Sequence, residues 1–234
     1  DAAIRAGRLA AAPFAPPVLL RAGEAGSVTL TEAEAKATLA AHGLSVPRSA
    51  RCFSRGGDAA AEAWVVLHGY GQLASRFLRG FESIATPTRL VVAPEGLSRF
   101  YLDAGAGKVG ASWMTREDRL HEIEDCLAYL AQVRAAIIPP VPLTILGFSQ
   151  GVATAARWAV ATAPAPLRLI CWRGLVPDEI AATRLVPIRL TYVVGEQEEW
   201  APPAAVEAQA AAYRQAGVSV DVQPYTGSTV SYTV

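Results

Sequence analysis

Short apolar runs alternate with longer amphipathic segments along most of this chain, and this alternation constrains the fold more than any other feature. The apolar runs cover residues 63–68, 89–93, 143–146, 167–172, 188–194 and 218–223. Helical spacing of apolar residues occurs in 73–84, 118–137, 152–163 and 202–216. Because each crossover helix covers one face of the sheet, its strands are buried on both faces. The pattern predicts an α/β fold, with a mostly parallel central sheet and helices on both faces.

The segments outside this alternation set the expected domain boundary. Residues 1–30 are rich in Ala, Pro and Gly and show no sustained period. Thr31 and Glu34 have the spacing of a capping box, and good helix formers follow in 35–41. We therefore predict an arm with one short helix over 1–46 and an α/β domain over 47–234. Within that domain, the glycine-rich stretch 96–112 is predicted to be a loop.

The longest predicted helix, 118–137, carries regularly spaced apolar side chains. They are Leu120, Ile123, Leu127, Leu130 and Val133. This spacing predicts that they share one face of the helix, turned toward the core.

Charge and composition exclude several functional classes. The chain has 21 basic and 21 acidic residues, so no net field attracts it to nucleic acid or to an anionic membrane. The uncharged run 135–156 is interrupted by Pro139, Pro140 and Pro142, which argues against a membrane span. The 3 cysteines form no C-x-x-C pair, so we expect free thiols rather than a disulfide scaffold or a zinc site. We expect no metal and no cofactor.

The most informative stretch is Gly147-Phe148-Ser149-Gln150-Gly151, which follows an apolar run and precedes a helix rich in small residues. A serine between a buried strand and a helix matches the context of a nucleophile in the G-x-S-x-G pattern. Glycines at both ends permit a sharp corner that lifts the serine oxygen out of the sheet. We predict Ser149 as the nucleophile. The Gln150 N–H, at the start of the helix, is the predicted donor to an oxyanion.

A second donor is predicted in the loop after an earlier strand. Residues 68–71 read His68-Gly69-Tyr70-Gly71, and their glycines allow the backbone to approach a ligand closely. The Tyr70 N–H is the predicted second oxyanion donor. We expect His68 to be a structural histidine that bonds its own loop. Tyr101 and Trp113 are predicted to line an apolar substrate pocket with neighbouring aromatic residues.

These motifs occur together in an order that resembles a known family. Besides residues 67–71 and 146–151, the stretches that carry the resemblance are 93–96, 110–113 and 193–195. The chain resembles the phospholipase/carboxylesterase group of α/β hydrolases, which includes acyl-protein thioesterases. The resemblance implies an acyl-enzyme on Ser149 and an acid after a late strand. Glu198 occupies the acid's place in the pattern, with Glu196 and Glu199 as close alternatives.

The chain departs from the family at its C-terminal end. The resemblance implies a catalytic histidine after the acid, but His42, His68 and His121 all precede Ser149, and Thr229 occupies the matching position. The family's terminal helix is also missing, so we expect an altered C-terminal part. The change fits a natural non-catalytic relative, an inactivated variant, or a changed reading frame or boundary near residue 227.

Two functions follow from these expectations. The first is a serine esterase or thioesterase acting on small carboxylic esters, impaired by the missing histidine. The second is a non-catalytic, hydrolase-like protein that binds a ligand or a partner. We expect a cytoplasmic protein, with a secreted or periplasmic location left open. Self-association is also expected, because loss of a covering helix exposes apolar surface.

Overall fold

Two sheets are present in the computed structural model, which describes residues 46–103, 105 and 107–226. The arm and helix predicted before residue 46 lie outside these residues, as does Thr229. The strands are β1 (Cys52–Arg55), β2 (Glu62–Leu67), β3 (Arg89–Pro94), β4 (Ser98–Tyr101), β5 (Val109–Ser112), β6 (Leu143–Phe148), β7 (Arg168–Trp172), β8 (Arg189–Gly195) and β9 (Val220–Tyr225). The helices are α1 (Ala74–Phe77), α2 (Arg119–Ile137), α3 (Gln150–Ala161) and α4 (Pro203–Gln215), with 3-10 turns at Leu78–Phe81 and Ala182–Arg184.

The large sheet has seven strands in the order β1-β3-β2-β6-β7-β8-β9. All neighbouring pairs are parallel except β1 and β3, which run antiparallel. The predicted mostly parallel α/β sheet is therefore confirmed. Since parallel strands end at the same edge, the segments that follow β2, β6, β7 and β8 emerge side by side. This edge carries the residues singled out from the sequence.

Side chains of the central strands alternate between two apolar clusters. Val65 and Ile145 belong to the larger cluster, which includes buried side chains from α2, α3 and α4. Val66 and Leu146 belong to the smaller cluster, which α1 and the following 3-10 turn cover with Phe77 and Phe81. Alternation with a period of two places the clusters on opposite faces of the sheet. Helices therefore pack on both faces, as the sequence predicts.

Three local expectations differ from the structure. The stretch predicted as a loop over 96–112 contains a hairpin of β4 and β5, paired from Ser98–Ser112 to Tyr101–Val109. Four-residue strands with small residues give too weak an alternation to be read from the sequence. The helix predicted over 73–84 is one turn of α-helix followed by a 3-10 turn. In α2 the buried residues are Cys126, Leu130 and Val133, whereas Leu120 is exposed.

The three cysteines are free, as expected from their spacing. Burial raises the pKa of Cys52 to about 11 and that of Cys126 to about 12, so both stay protonated at neutral pH. Neither thiol is therefore activated as a nucleophile. Within the described ranges, no helix combines the length and apolarity that a membrane crossing needs.

Two leucines of α2 test which face of this helix supports the core. Leu130 is 0% exposed and Leu120 is 69% exposed. We expect Leu130→Ala to lower the free energy of unfolding by about 2–5 kcal/mol, because it leaves a cavity under the helix. Leu120→Ala is the matched control and should change it by less than about 0.5 kcal/mol. Urea denaturation of both variants measures the difference, and equal losses would contradict the assignment.

Candidate active site

Ser149 forms the corner between β6 and α3. Its backbone has φ 51° and ψ −118°, a positive-φ conformation that non-glycine residues seldom adopt. Its N–H donates to the Trp172 carbonyl at 2.8 Å, and its carbonyl accepts from the Val152 N–H at 2.9 Å. The side chain is half-buried. A strained serine that remains in contact with solvent is a typical feature of a functional site.

The two flanking glycines are required by space. A Cβ on Gly147 would lie 2.5 Å from the Val152 Cα, and a Cβ on Gly151 would lie 2.4 Å from the Leu67 carbonyl oxygen. Both distances are far below van der Waals contact, and both obstacles are backbone atoms. The start of α3 therefore packs directly against the end of β2. This close approach explains why the corner has glycine on both sides of Ser149.

The loop after β2 runs beside the Ser149 corner, because β2 pairs with β6 and Leu67 lies opposite Gly147. Within this loop the Gly69 N–H donates to Gln72 Oε1 at 2.8 Å, and the Gly71 N–H donates to the Ala111 carbonyl at 2.9 Å. The Tyr70 N–H between them donates to no other residue in the described part of the chain. The same holds for the Gln150 N–H at the start of α3. The two N–H groups predicted as oxyanion donors are therefore both unengaged.

His68 is a buried structural histidine, as predicted. Its Nδ1 lies 2.8 Å from the Gly69 carbonyl oxygen, and its Nε2 accepts from the Gly96 N–H at 2.9 Å. These partners require the neutral ring with its proton on Nδ1. Burial lowers the pKa of His68, which also favours the neutral form. Both nitrogens are occupied, so His68 cannot accept a proton from Ser149 in this arrangement.

Trp113, predicted to line the substrate pocket, is buried against the loop after β2 and holds that loop in place. The residue is 1% exposed, and its indole N–H donates to the His68 carbonyl at 2.8 Å. Its ring lies 5.0 Å from the His68 ring. The backbone N–H of Trp113 donates to Gln150 Oε1 at 3.0 Å. Trp113 thus links the loop after β2 to the start of α3, a role that the sequence did not indicate.

The other predicted pocket residue, Tyr101, lies at the end of β4 and is 69% exposed. The Tyr70 ring is also exposed and packs against Phe100 at 5.1 Å between centroids. An aromatic pair of the exposed Tyr70 and the half-buried Phe100 therefore joins the loop after β2 to the β4–β5 hairpin. Tyr101 belongs to the same hairpin, and its part in substrate binding stays a prediction.

The Gln150 side chain holds the segment after β5. Its Nε2 donates to the Met114 carbonyl at 2.8 Å and to Ser112 Oγ at 3.0 Å. Together with the bond from the Trp113 N–H, these contacts use both ends of the carboxamide. The residue after Ser149 therefore offers its backbone N–H at the corner while its side chain anchors a neighbouring segment.

Glu198 is the buried carboxylate of the acidic loop after β8. It is 7% exposed, whereas Glu196 and Glu199 are both exposed. Its Oε1 accepts from the Trp200 N–H at 3.2 Å. Of the three glutamates left open by the sequence, Glu198 alone is held inside the structure by hydrogen bonds. It remains our predicted acid.

Arg173 pairs with this carboxylate and was not singled out from the sequence. Its Nη2 donates to Glu198 Oε1 at 3.2 Å, and its Nε donates to Glu198 Oε2. Hydrogen bonding to Glu198 raises the pKa of the Arg173 guanidinium, so the guanidinium stays charged. The sequence shows only that Arg173 is a basic residue directly after an apolar strand. Nothing in that signal indicated its partner.

The remaining histidines do not supply an evident base. His121 lies on the exposed surface of α2, where its Nδ1 is 2.6 Å from Asp118 Oδ1. His42 and Thr229 lie outside the described residues. No group of acidic, histidine or cysteine side chains in the described ranges has the arrangement of a metal site.

Solved structures with a similar fold include several hydrolases. Zea mays acyl-protein thioesterase 2 matches with a TM-score of 0.59 and 20% identity, over 78% of this chain and 94% of that chain. Esterase PE8 matches with a TM-score of 0.57 and 21% identity, over 77% of this chain and 89% of that chain. A carboxylesterase from Mesorhizobium loti matches with a TM-score of 0.57 and 22% identity, over 75% of this chain and 84% of that chain. No protein-family model and no curated protein sequence matches the chain. At these identities the likeness shows the fold, which is the α/β-hydrolase fold.

The opposite pKa shifts of the two described histidines give a pH prediction. Burial lowers the pKa of His68, whereas the hydrogen bond to Asp118 raises the pKa of His121. As the pH falls below about 6.5, the unfolded chain binds a proton at His68 and the folded chain does not. The free energy of unfolding then drops by up to about 1.4 kcal/mol per pH unit from His68 alone.

His121 acts in the reverse sense: its stabilising effect is present below its unfolded pKa and is lost as the pH rises through its folded pKa. Imidazole signals followed by NMR during an acid titration would separate the two residues. We expect His121 to protonate first and His68 last. Protonation of His68 before His121 would contradict the hydrogen-bond assignment at Gly96.

Proposed function

We propose that this chain is a serine hydrolase of small carboxylic esters or thioesters, with Ser149 as the nucleophile. The observation that carries the proposal is the strained Ser149 corner, which adjoins the N–H groups of Tyr70 and Gln150, neither of which has a partner among the described residues. In such a site the serine oxygen attacks the ester carbonyl, and the N–H groups stabilise the oxyanion that develops. The esterases and thioesterases of similar fold support this substrate class.

The start of α3 adds to the stabilisation of negative charge. This helix extends over 12 residues from Gln150, and no acidic residue stands in its first turn. Peptide dipoles place partial positive charge at a helix N-terminus, next to the serine oxygen. A developing oxyanion would therefore meet a hydrogen-bond donor and a favourable field at the same point. The Tyr70 N–H would supply the second donor from the adjacent loop.

Glu198 is the proposed acid of the site. Its burial and its position after β8 place it at the same edge of the sheet as Ser149, with β7 between the two strands. In a serine hydrolase the acid orients a histidine, and the histidine takes the proton of the serine. Neither described histidine is held toward Ser149, because His68 uses both ring nitrogens and His121 pairs with Asp118 on the exposed surface of α2.

The lack of a free histidine among the described residues limits the rate of turnover that we propose. In a serine protease, loss of the base lowers turnover by about 10⁶-fold, while the oxyanion hole and substrate binding retain ~10³–10⁴-fold over water. Water would have to take the Ser149 proton as the oxygen–carbon bond forms. Esters with a good leaving group would therefore acylate Ser149 slowly, and simple alkyl esters would react hardly at all.

A second function is favoured by a different observation, the hydrogen bonds of Glu198 and His68. Because Glu198 is paired with Arg173 and His68 is fully bonded, the site resembles a hydrolase whose proton-transfer groups are committed elsewhere. Such a site would bind esters without turnover. The two proposals differ in one measurable property, which is whether Ser149 becomes acylated.

Hydrolysis of p-nitrophenyl acetate and butyrate separates the two proposals. We expect slow p-nitrophenol release by the unaltered chain, and a loss of at least about tenfold in Ser149→Ala, because only the serine oxygen can accept the acyl group. Mass spectrometry after treatment with a fluorophosphonate should find the adduct on Ser149. Leu120→Ala, a variant on the exposed side of α2, is a control that leaves the nucleophile in place and should still be labelled.

Equal ester hydrolysis by the unaltered chain and Ser149→Ala, without any adduct, would overturn the hydrolase proposal. Binding of a non-hydrolysable ester analogue under those conditions would favour the ligand-binding function instead.

A further inference from the structure

We propose that Arg173 is a positioning residue that holds the Glu198 carboxylate and fills the space where a general base would stand between Glu198 and Ser149. The inference deepens the proposed function and rests on it. It explains how a buried acid is held where the described residues offer it no histidine. It also identifies the residue whose removal would open the site to a base supplied from solution.

Strand order places Arg173 between the other two groups. Ser149 follows β6, Arg173 follows β7 and Glu198 lies in the loop after β8. These three strands are consecutive neighbours in the sheet and run parallel. The Ser149 N–H bonds to the Trp172 carbonyl, and the Arg173 N–H bonds to the Val193 carbonyl at 3.2 Å. The backbone of Arg173 is therefore tied to both flanking strands.

The guanidinium extends across the gap between the two neighbouring segments. Its Cζ lies 5.6 Å from the centroid of the Phe148 ring, the residue that precedes Ser149. At the same time its Nε and Nη2 contact both oxygens of Glu198. In the serine–histidine–acid arrangement, an imidazole lies between the serine and the acid and donates to that carboxylate. Here the carboxylate already has a two-point partner.

The ion pair of Arg173 and Glu198 is largely buried. The Arg173 side chain is 18% exposed and the Glu198 side chain 3%. Removing one partner from such a pair leaves a charge with poor solvation, so the two charges favour staying together. A guanidinium has only donors and keeps its proton at all accessible pH values. Arg173 therefore orients the acid but cannot take a proton from Ser149.

The backbone at this position is also strained. Arg173 has φ 57°, a positive value like that of Ser149 on the adjacent segment. Such a conformation is strained for a residue with a Cβ, and it persists where surrounding contacts impose it. The backbone bond to the Val193 carbonyl and the side-chain bonds to Glu198 are contacts of this kind.

Two substitutions separate loss of the charge from loss of the volume. Arg173→Ala frees Glu198 and leaves space for an imidazole molecule, whereas Arg173→Met frees Glu198 but keeps the space filled. Imidazole entering the space would take the Ser149 proton as the serine oxygen bonds to the carbonyl carbon and p-nitrophenolate leaves. The imidazolium formed in this step then loses its proton to the buffer. Neutral imidazole next takes a proton from water as the water oxygen attacks the acyl carbon, and it returns that proton to the serine oxygen as the acyl–serine bond breaks and the carboxylic acid leaves.

We expect added imidazole to raise p-nitrophenyl acetate hydrolysis by Arg173→Ala at least about tenfold, with saturation at high imidazole. The Arg173→Ala/Ser149→Ala double variant gives the background reaction of imidazole itself. Arg173→Met should show no saturable gain. Arg89→Ala is a remote control, because Arg89 pairs with Glu62 where β2 and β3 begin, at the opposite edge of the sheet. It should behave like the unaltered chain.

The outcomes distinguish the two levels of the proposal. Fluorophosphonate labelling of Ser149 in the unaltered chain, without a saturable imidazole effect in Arg173→Ala, overturns the role of Arg173 and leaves the hydrolase proposal intact. An equal imidazole effect in Arg173→Ala and Arg173→Met also overturns it, because the effect would not depend on the vacated space. If no variant is labelled at Ser149, the hydrolase proposal falls and the role of Arg173 falls with it.

Discussion

The contact between the start of α3 and the end of β2 is the constraint on which the site depends. Gly151 approaches the Leu67 carbonyl so closely that a Cβ there would lie 2.4 Å from it. This contact prevents the turn after β6 from relaxing, and Ser149 stays at φ 51° as a result. Because the same packing brings the loop after β2 beside Ser149, the strained serine and the two open N–H groups arise from one steric arrangement.

A buried polar network then fixes the loops around that corner. Gln150 bonds to the Trp113 N–H, Trp113 bonds to the His68 carbonyl, and His68 accepts from the Gly96 N–H. The adjacent Glu95 is buried and accepts hydrogen bonds from Arg51 at 2.8 and 2.6 Å. Each of the polar side chains just named has a partner, so the network specifies one arrangement rather than several. It joins the loops after β2, β3 and β5 to the start of α3.

The charges at the site have a different consequence. Arg173 and Glu198 neutralise each other beside Ser149, so the described site combines features that stabilise an oxyanion with no evident group to accept a proton. These two requirements of serine catalysis are physically separable, because backbone N–H groups and proton acceptors come from different parts of the fold. The structure therefore supports the proposed nucleophile and oxyanion donors more directly than it supports rapid turnover.

The sequence by itself determined the α/β alternation, the Ser149 corner and the structural role of His68, because these depend on patterns within one element or one turn. Periodicity did not predict the β4–β5 hairpin or the exposure of Leu120, since weak strands and helix ends carry little pattern. Only the tertiary structure decided that Trp113 supports the loop, that Glu198 is the buried glutamate and that Arg173 is its partner. These outcomes follow from the order of strands in the sheet, which brings together side chains 25 or more positions apart. No local property of the chain encodes that order.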